Sequence, residues 1–180
     1  MILGVDKLLE RVEKEKLVEN LCEREMTNPE GTGFDLRLGE IHELEGGGFL
    51  GLENRDTPKT NKIAEFNPNQ EETFFEFKPG QYYLITTAES VNLPLDLTAF
   101  IVSRTTLFRS GLALFNGAVQ PGYCGKLSFA LCNLGANPIK VALGARIVHI
   151  TFHEVNGKTN IYRGQWQGGR VSTDGAEKQV

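Results

Sequence analysis

Residues 103–125 read Ser-Arg-Thr-Thr-Leu-Phe-Arg-Ser-Gly-Leu-Ala-Leu-Phe-Asn-Gly-Ala-Val-Gln-Pro-Gly-Tyr-Cys-Gly. The first half sets two arginines beside two hydroxyls, at Arg104, Thr105, Thr106 and Arg109. Guanidinium forks and hydroxyls are donors that suit phosphate oxygens. In the second half, Asn116-Gly117 and Gln120-Pro121-Gly122 interrupt an apolar run. These turn residues predict a hairpin that shapes a pocket.

The composition around this stretch is that of an ordinary globular protein. The 180 residues are 40% hydrophobic and 23% charged, with a net charge of −4, so we expect one domain and no nucleic-acid partner. No apolar run approaches the ~20 residues that a membrane span requires. The N-terminus, Met1–Asp6, lacks the basic and apolar regions of a secretion signal. The sequence predicts a cytoplasmic protein with no membrane partner.

Cysteine and histidine spacing does not indicate a metal site. The three cysteines lack CxxC spacing, so we predict reduced thiols. His149 and His153 share one face of a predicted strand, but no third ligand is near them. We interpret both as strand residues and expect no metal ligand directly from the protein.

The N-terminal third predicts one helix, one strand and one irregular segment. Asp6 is a candidate N-cap for a helix through about Lys16, the only convincing helix in the chain. Gly33–Gly39 alternates as a strand, with Arg37 on a solvated face in an ion pair. Glu53–Asn69 is polar and aperiodic, which predicts an excursion from the core.

From Thr73 onward the sequence predicts strands separated by short turns. The predicted strands are 74–77, 82–87, 97–102, 112–115, 126–131, 139–142 and 146–152. This spacing is typical of a β-sandwich or barrel. We predict a mainly β domain over residues 1–155, including the N-terminal helix. The Gly-rich tail, residues 156–180, is a candidate to close over a ligand or a neighbouring subunit.

Several segments resemble one known superfamily. Residues 104–111, Arg-Thr-Thr-Leu-Phe-Arg-Ser-Gly, are similar to the Arg-Ser-Ser-Leu-Ala-Arg-x-Gly signature of dCTP deaminases. Residues 117–125, Gly-Ala-Val-Gln-Pro-Gly-Tyr-Cys-Gly, resemble Gly-Val-Ile-Asp-Pro-Gly-Tyr/Phe-x-Gly. Residues 34–39 and 162–165 resemble Ile-Asp-Leu-Arg-Leu-Gly and Tyr-x-Gly-Gln. Over residues 1–169 the chain thus resembles the superfamily of dCTP deaminases and trimeric dUTPases, nearest the dCTP deaminase branch.

The resemblance implies a distorted jelly-roll β-sandwich, assembled as a homotrimer with sites between subunits. It implies a dUTP-like or dCTP-like ligand that carries Mg²⁺ on its phosphates. The implied phosphate-binding residues are Arg104, Thr105 and Thr106, with Tyr162 and Gln165 closing over them. The implied base and sugar pocket consists of Asn116, Gly117 and Val119, with Tyr123 under the deoxyribose. Arg109 and Gln120 occupy positions implied to act in catalysis, Gln120 by positioning a water.

The chain departs from the family pattern at two positions that carry proton transfer. Gln120 stands where dUTPases and bifunctional members have an aspartate, and Ala130 stands where deaminases have a glutamate. Glutamine can orient a water but cannot take its proton, and alanine can do neither. This combination disfavours ordinary dCTP deamination. Asp35 and Asp96 are better explained by scaffold and subunit contacts.

Two functions remain open from the sequence. The first is a divergent dUTP- or dCTP-processing enzyme of dUMP supply, with dUTP diphosphatase-like hydrolysis ahead of deamination. The alternative is a catalytically silent homologue that binds nucleotide or regulates through protein contacts.

Overall fold

The computed structural model describes residues 1–179, in which strands predominate. The helices are α1 (Val5–Glu15), α2 (Glu23–Thr27) and α3 (Thr105–Arg109). The strands before residue 80 are β1 (Val18–Glu19), β2 (Gly33–Glu45), β3 (Phe49–Leu50), β4 (Asn54–Asp56), β5 (Lys59–Glu65) and β6 (Phe74–Phe77). The later strands are β7 (Tyr82–Asn92), β8 (Leu97–Ser103), β9 (Leu112–Phe115), β10 (Cys124–Asn133), β11 (Ile139–Ala142), β12 (Arg146–Glu154) and β13 (Glu177–Lys178).

The predicted N-terminal helix is present, but its predicted cap is wrong. Gly4 is the N-cap, and its carbonyl accepts the Leu8 N–H at 3.1 Å. Asp6 instead lies in the first turn, where a carboxylate still complements the helix dipole. The prediction of a single helix is also wrong, because α2 and α3 each form a five-residue helix. Such short helices bury too few residues to produce a clear periodic pattern.

The main sheet is antiparallel and nearly closes on itself as a distorted jelly-roll sandwich. Its strands run in the order β8-β12-β2-β7-β10-β9. In addition, β1 pairs with β7, and β5 pairs with β2. All seven strands predicted after residue 73 are present. Phe34, Leu36 and Leu38 of β2 are fully buried, so one face of this strand forms the centre of the core.

The segment from Glu53 to Asn69 is not the irregular excursion that its sequence predicts. β5 pairs with the second half of β2, and β4 pairs with β3 and β13. Most of the side chains of β5 are exposed, so polar residues occupy both faces of this strand. Backbone pairing therefore places β5 in the sheet, although its sequence shows no alternation of apolar and polar residues.

Arg37 lies in a shielded ion pair and not on a solvated face. Its Nε donates to Glu89 Oε1 at 2.6 Å, and its backbone N–H donates to Glu89 Oε2 at 2.8 Å. Glu89 on β7 is fully buried, and burial raises the pKa of its carboxyl. The prediction missed this pairing because the two residues are 52 positions apart.

The tail returns across the body of the same chain. Its last strand, β13, pairs with β4, and the Thr57 N–H donates to Thr173 Oγ1 at 2.9 Å. Thr173 Oγ1 in turn donates to Asp56 Oδ1 at 2.9 Å. The tail is therefore attached to the segment that precedes β5. No helix within residues 1–179 is long and apolar enough to cross a membrane.

Candidate functional site

A cavity of about 500 Å³ opens between the main sheet, the predicted hairpin and the tail. The sheet contributes Leu44, Tyr82, Leu84, Ile101, Leu127 and Ser128. The hairpin contributes Gly117, Ala118, Val119, Gln120 and Tyr123. The tail contributes Tyr162, Trp166, Arg170 and Val171, and Thr57 and Pro58 complete the lining. Its size and largely apolar lining are those of a small-molecule site.

The predicted hairpin, residues 117–123, is a loop with one turn, in which the Tyr123 N–H donates to Gln120 O at 3.1 Å, and we keep the name hairpin for it. Backbone hydrogen bonds fix this loop against the sheet. Val119 exchanges two backbone hydrogen bonds with Ala99 on β8, at 2.9 and 3.0 Å. Gly122 donates to Leu93 O at 2.9 Å, and Leu93 donates to Tyr123 O at the same distance. The hairpin therefore presents its backbone to the cavity in a fixed orientation before any ligand binds.

The tail packs directly on the glycines of this hairpin. Tyr162 N–H donates to Pro121 O at 2.8 Å, and Gly168 N–H donates to Cys124 O at 2.8 Å. Gly125 has φ +131°, and a Cβ there would lie 2.5 Å from the nitrogen of Gly169. Only glycine permits both this backbone conformation and this close approach.

Tyr123 forms the buried end of the cavity. Its hydroxyl donates to Lys126 O at 2.6 Å, and its ring meets that of Tyr162 edge-on at 5.5 Å. Burial raises the pKa of Tyr123 to about 12. The phenol therefore stays neutral at physiological pH and serves as a surface for contact, not as a base.

The cavity contains a cation but no acid among the described residues that line it. Arg170 is the one charged side chain of that lining, and its guanidinium donates to Glu177 Oε1 at 2.5 Å and to Asp174 Oδ2 at 3.0 Å. Ala130 pairs with Leu84 and lies two residues beyond Ser128, which puts it on the cavity face of β10. Neither Ala130 nor the exposed Gln120 can accept a proton from water.

The predicted phosphate-binding residues lie outside the cavity of their own chain. Arg104 immediately precedes α3, and its Nε lies 3.0 Å from Asp35 Oδ2 on β2. Thr105, Thr106 and Arg109, which belong to α3, are exposed. The structure thus brings Gly117, Val119, Gln120, Tyr123 and Tyr162 together but separates them from the arginine segment.

Two further predicted residues lie beside the main cavity. The Asn116 side-chain amide donates to Ile101 O at 3.0 Å, which anchors the start of the hairpin. Gln165 lines a second cavity of about 380 Å³, and three residues of the main cavity, Gln120, Tyr162 and Trp166, also line this second one.

Asp35 is the centre of a buried charge cluster that the sequence does not reveal. Besides Arg104, it pairs with Arg146 at 3.1 Å and with His149 Nδ1 at 2.9 Å. Burial opposes its ionisation, but the hydrogen bond from His149 and the nearby guanidinium groups outweigh burial and lower the pKa of the Asp35 carboxyl.

The sequence also did not predict that Trp166 and Arg170 line the main cavity. The tail that carries them has no periodic pattern, so its sequence does not indicate which surface it covers.

The described residues contain no group of three or more histidine, cysteine, aspartate or glutamate side chains that could hold a metal ion. The three cysteines are free thiols.

The chain belongs to the dCTP deaminase-like family, whose family model matches residues 2–155. It is 31% identical over 161 residues to a dUMP-forming dCTP deaminase of Dictyoglomus thermophilum, covering 87% of this chain and 81% of that protein. It is 33% identical over 176 residues to the corresponding enzyme of Sulfurihydrogenibium sp., covering 96% and 95%. A deoxyuridine 5'-triphosphate nucleotidohydrolase of Methanocaldococcus jannaschii is 29% identical over 136 residues, covering 76% and 85%.

Solved structures agree on the fold. A 2'-deoxycytidine 5'-triphosphate deaminase from Agrobacterium tumefaciens superposes with a TM-score of 0.63 at 16% identity, over 86% of this chain. The matched part is 48% of that protein, so this chain spans about half its length. A mutant dUTPase from phage phi11 of S. aureus superposes with a TM-score of 0.51 at 12% identity, covering 82% of this chain and 93% of that one.

Proposed function

We propose that this protein binds a pyrimidine deoxynucleoside triphosphate, dUTP or dCTP, in the main cavity and hydrolyses it between the α- and β-phosphates. The observation that carries this proposal is the cavity itself, in which the hairpin of residues 117–123 and the tail face each other. Relatives named as dUMP-forming dCTP deaminases and as dUTP nucleotidohydrolases support the substrate class.

The base and sugar are assigned to the hairpin side of the cavity. Gly117 and Val119 offer backbone groups there, and backbone donors and acceptors can read the edge of a pyrimidine. Tyr123 lies against the deoxyribose in this arrangement, where its buried ring excludes a 2'-hydroxyl. Tyr162 covers the ligand from the tail.

The phosphates are assigned to Arg104, Thr105 and Thr106 of a neighbouring subunit in a homotrimer. The separation of these residues from the cavity of their own chain supports a shared site. Exposed apolar side chains near α3 supply a surface for assembly, namely Phe100, Val102, Phe108 and Phe115.

In this proposal Mg²⁺ is carried on the substrate phosphates. The lining side chains include no carboxylate, and no three-residue metal cluster exists among residues 1–179. Bound Mg²⁺ would neutralise charge on the phosphates. The protein's own contribution is to hold those phosphates with Arg104 and to orient a water through the Gln120 amide.

Hydrolysis is favoured over deamination because of what the two reactions demand. Phosphoryl transfer depends mainly on positioning and electrostatics, so it tolerates loss of one general base. Deamination requires a group that carries protons to and from the base ring, and the described cavity lining offers none. The exposed amide of Gln120 can still position the attacking water.

A second candidate is a silent nucleotide-binding protein, favoured by the same lack of an acidic residue. Incubation with dUTP and dCTP, with and without Mg²⁺, separates the candidates. Pyrophosphate release supports the hydrolase, and binding without turnover supports the silent protein. Ammonia release without pyrophosphate would contradict the preference for hydrolysis, and absence of both turnover and nucleotide affinity would refute both candidates.

The trimer and the shared site are tested separately. The protein in solution should have a mass of about 60 kDa, three times the 20.0 kDa of one chain. Mixed trimers of Arg104→Ala and Tyr162→Ala subunits should regain nucleotide binding that each variant lacks alone, because some sites then receive both intact residues. No recovery in verified mixed trimers would refute sharing.

A further inference from the structure

The Asp35 carboxylate divides its two oxygens between one histidine and two arginines. His149 Nδ1 lies 2.9 Å from Oδ1. Oδ2 lies 3.0 Å from Arg104 Nε and 3.1 Å from Arg146 Nη1. His149 and Asp35 are directly opposed in the β12–β2 pair, so the strand register itself brings the imidazole and the carboxylate together.

The imidazole of His149 donates the hydrogen bond in this contact. Burial opposes ionisation of Asp35, but the hydrogen bond from His149 and the nearby guanidinium groups lower the pKa of its carboxyl. The carboxylate is therefore charged at neutral pH and can only accept hydrogen bonds, so Nδ1 carries the proton. His149 is the only residue within 1–179 that is hydrogen-bonded to Oδ1.

The neighbouring strands confine the imidazole. A Cβ at Gly33 of β2 would lie 2.8 Å from His149 Nε2, so the ring packs where any side chain at residue 33 would displace it. On the other side, Val102 of β8 is the register partner of His149. The ring is mostly buried and lies on the central strand of three, which makes it a rigid support for the carboxylate.

The backbone of Asp35 is held as firmly, because its N–H donates to Glu25 Oε2 at 2.9 Å. The freedom that remains is rotation of the carboxylate about its side-chain bonds. A donor on Oδ1 opposes that rotation and keeps Oδ2 directed at the arginines.

We propose that His149 is a positioning residue for the phosphate-binding guanidinium of Arg104 and acts through Asp35. This inference rests on the proposed nucleotide binding. Arg104 Nε faces Asp35 and its Nη1 donates to Arg146 O at 3.3 Å, whereas Nη2 has no partner within residues 1–179 and is left for a phosphate. Without the His149 donor the carboxylate turns, and Arg104 loses its fixed direction. The loss falls on the phosphates alone, because the base and sugar are assigned to the hairpin.

The test compares variants at position 149 by calorimetry with α,β-imido-dUTP and deoxyuridine. His149→Leu removes the donor and should raise the Kd of the imido nucleotide by roughly threefold to tenfold, part of the effect of losing a hydrogen bond to a charged group. His149→Asn should restore most of the affinity, because its amide nitrogen takes about the place of Nδ1 and also donates. The Kd of deoxyuridine should stay within about twofold in both variants, since deoxyuridine carries no phosphate.

Two further variants control for the fold and for the route. His153→Leu removes a histidine from the same face of β12, but His153 Nε2 bonds to Thr151 Oγ1 at 3.0 Å, so both Kd values should stay unchanged. In an Asp35→Ala background, His149→Leu should cause no additional loss, because His149 then has no carboxylate to act through.

The inference is refuted if His149→Asn binds the imido nucleotide as weakly as His149→Leu, or if His149→Leu weakens the nucleoside and the nucleotide equally. A further loss in the Asp35→Ala background would refute the route through Asp35. If Arg104→Ala weakens the imido nucleotide while His149→Leu does not, the inference is refuted and the proposed function stands. If the unmodified protein binds neither the nucleoside nor the imido nucleotide, the proposed function and this inference both fail.

Discussion

Arg104 and Asp35 form an ion pair, with Arg104 Nε 3.0 Å from Asp35 Oδ2. This contact joins the arginine segment at the start of α3 to β2 in the middle of the main sheet. Arg146 also bonds to Asp35, and Arg104 donates to Arg146 O at 3.3 Å. The guanidinium predicted to bind phosphate is thus oriented by a buried carboxylate. In the proposed function, Asp35 would act through Arg104, as a positioning residue.

Asp35→Asn should weaken nucleotide binding without removing a ligand contact. The neutral amide holds Arg104 less firmly, so the Kd of α,β-imido-dUTP should rise by about tenfold, the lower end of the effect of losing a charged hydrogen bond. Arg104→Lys in the same assay should also weaken binding, because lysine lacks the fork. Calorimetry measures both. An unchanged Kd in folded Asp35→Asn would contradict the positioning role.

The Asp35 carboxylate should also make the unfolding free energy depend on pH in the acid range. The pKa of Asp35 is lowered in the folded protein, so its contribution to stability is present above the unfolded pKa of about 4 and is lost as pH falls through the folded pKa. Urea denaturation below pH 4 should therefore show a steeper loss of unfolding free energy in the unmodified protein than in Asp35→Asn. Both proteins retain Glu89, so its raised pKa cancels in the comparison. Equal slopes would contradict the prediction.

Gln120→Asp should raise the rate of dUTP hydrolysis. A carboxylate at this position can take a proton from water, and general-base catalysis contributes roughly 10²–10⁴-fold. The position is exposed on the cavity rim, so the change should not disturb packing. Pyrophosphate release under saturating dUTP and Mg²⁺ measures the effect, with Gln120→Asn as the uncharged control. A nucleotide-binding Gln120→Asp variant with no rate gain would show that the water is not positioned beside this residue.

Gly125→Ala should loosen the tail. The added Cβ meets the Gly169 nitrogen at 2.5 Å and strains a backbone at φ +131°. Strain of this kind costs roughly 1–3 kcal/mol, so proteolytic cleavage between residues 156 and 179 should quicken by about tenfold. Gly47→Ala is the control, because its Cβ would meet nothing within 4 Å. Cleavage at the unmodified rate would mean that the tail does not depend on this contact.

Arg37→Met should destabilise the fold strongly. It leaves the fully buried Glu89 carboxylate without its cation, and breaking a buried pair in this way costs about 3–5 kcal/mol. The double variant Arg37→Met/Glu89→Gln should recover part of that loss, since the amide removes the buried charge and still accepts the residue-37 N–H. Urea denaturation measures both variants. A double variant less stable than Arg37→Met would argue against an uncompensated charge as the cause.

Local pattern was sufficient for much of this fold. Strands β6, β9 and β11 have the same bounds as their predictions, because short apolar runs between turn residues are recorded directly in the sequence. The ordered motifs also identified the family that residues 2–155 match. Strand β5 was not predicted from the sequence, because its pairing uses backbone N–H and C=O groups. Nearly every residue has these groups, so they leave no pattern in the sequence.

The sequence by itself determined the β architecture, the turn at residues 120–123 and the absence of a carboxylate at Gln120 and Ala130. Only the tertiary structure decided which of these residues meet. Arg104 and Gln120 are 16 positions apart but lie at different sites of one chain, whereas Thr57 and Thr173 are 116 positions apart and in contact. Residue pattern encodes which face of an element is buried, but the partner of that face is set by packing over the whole chain.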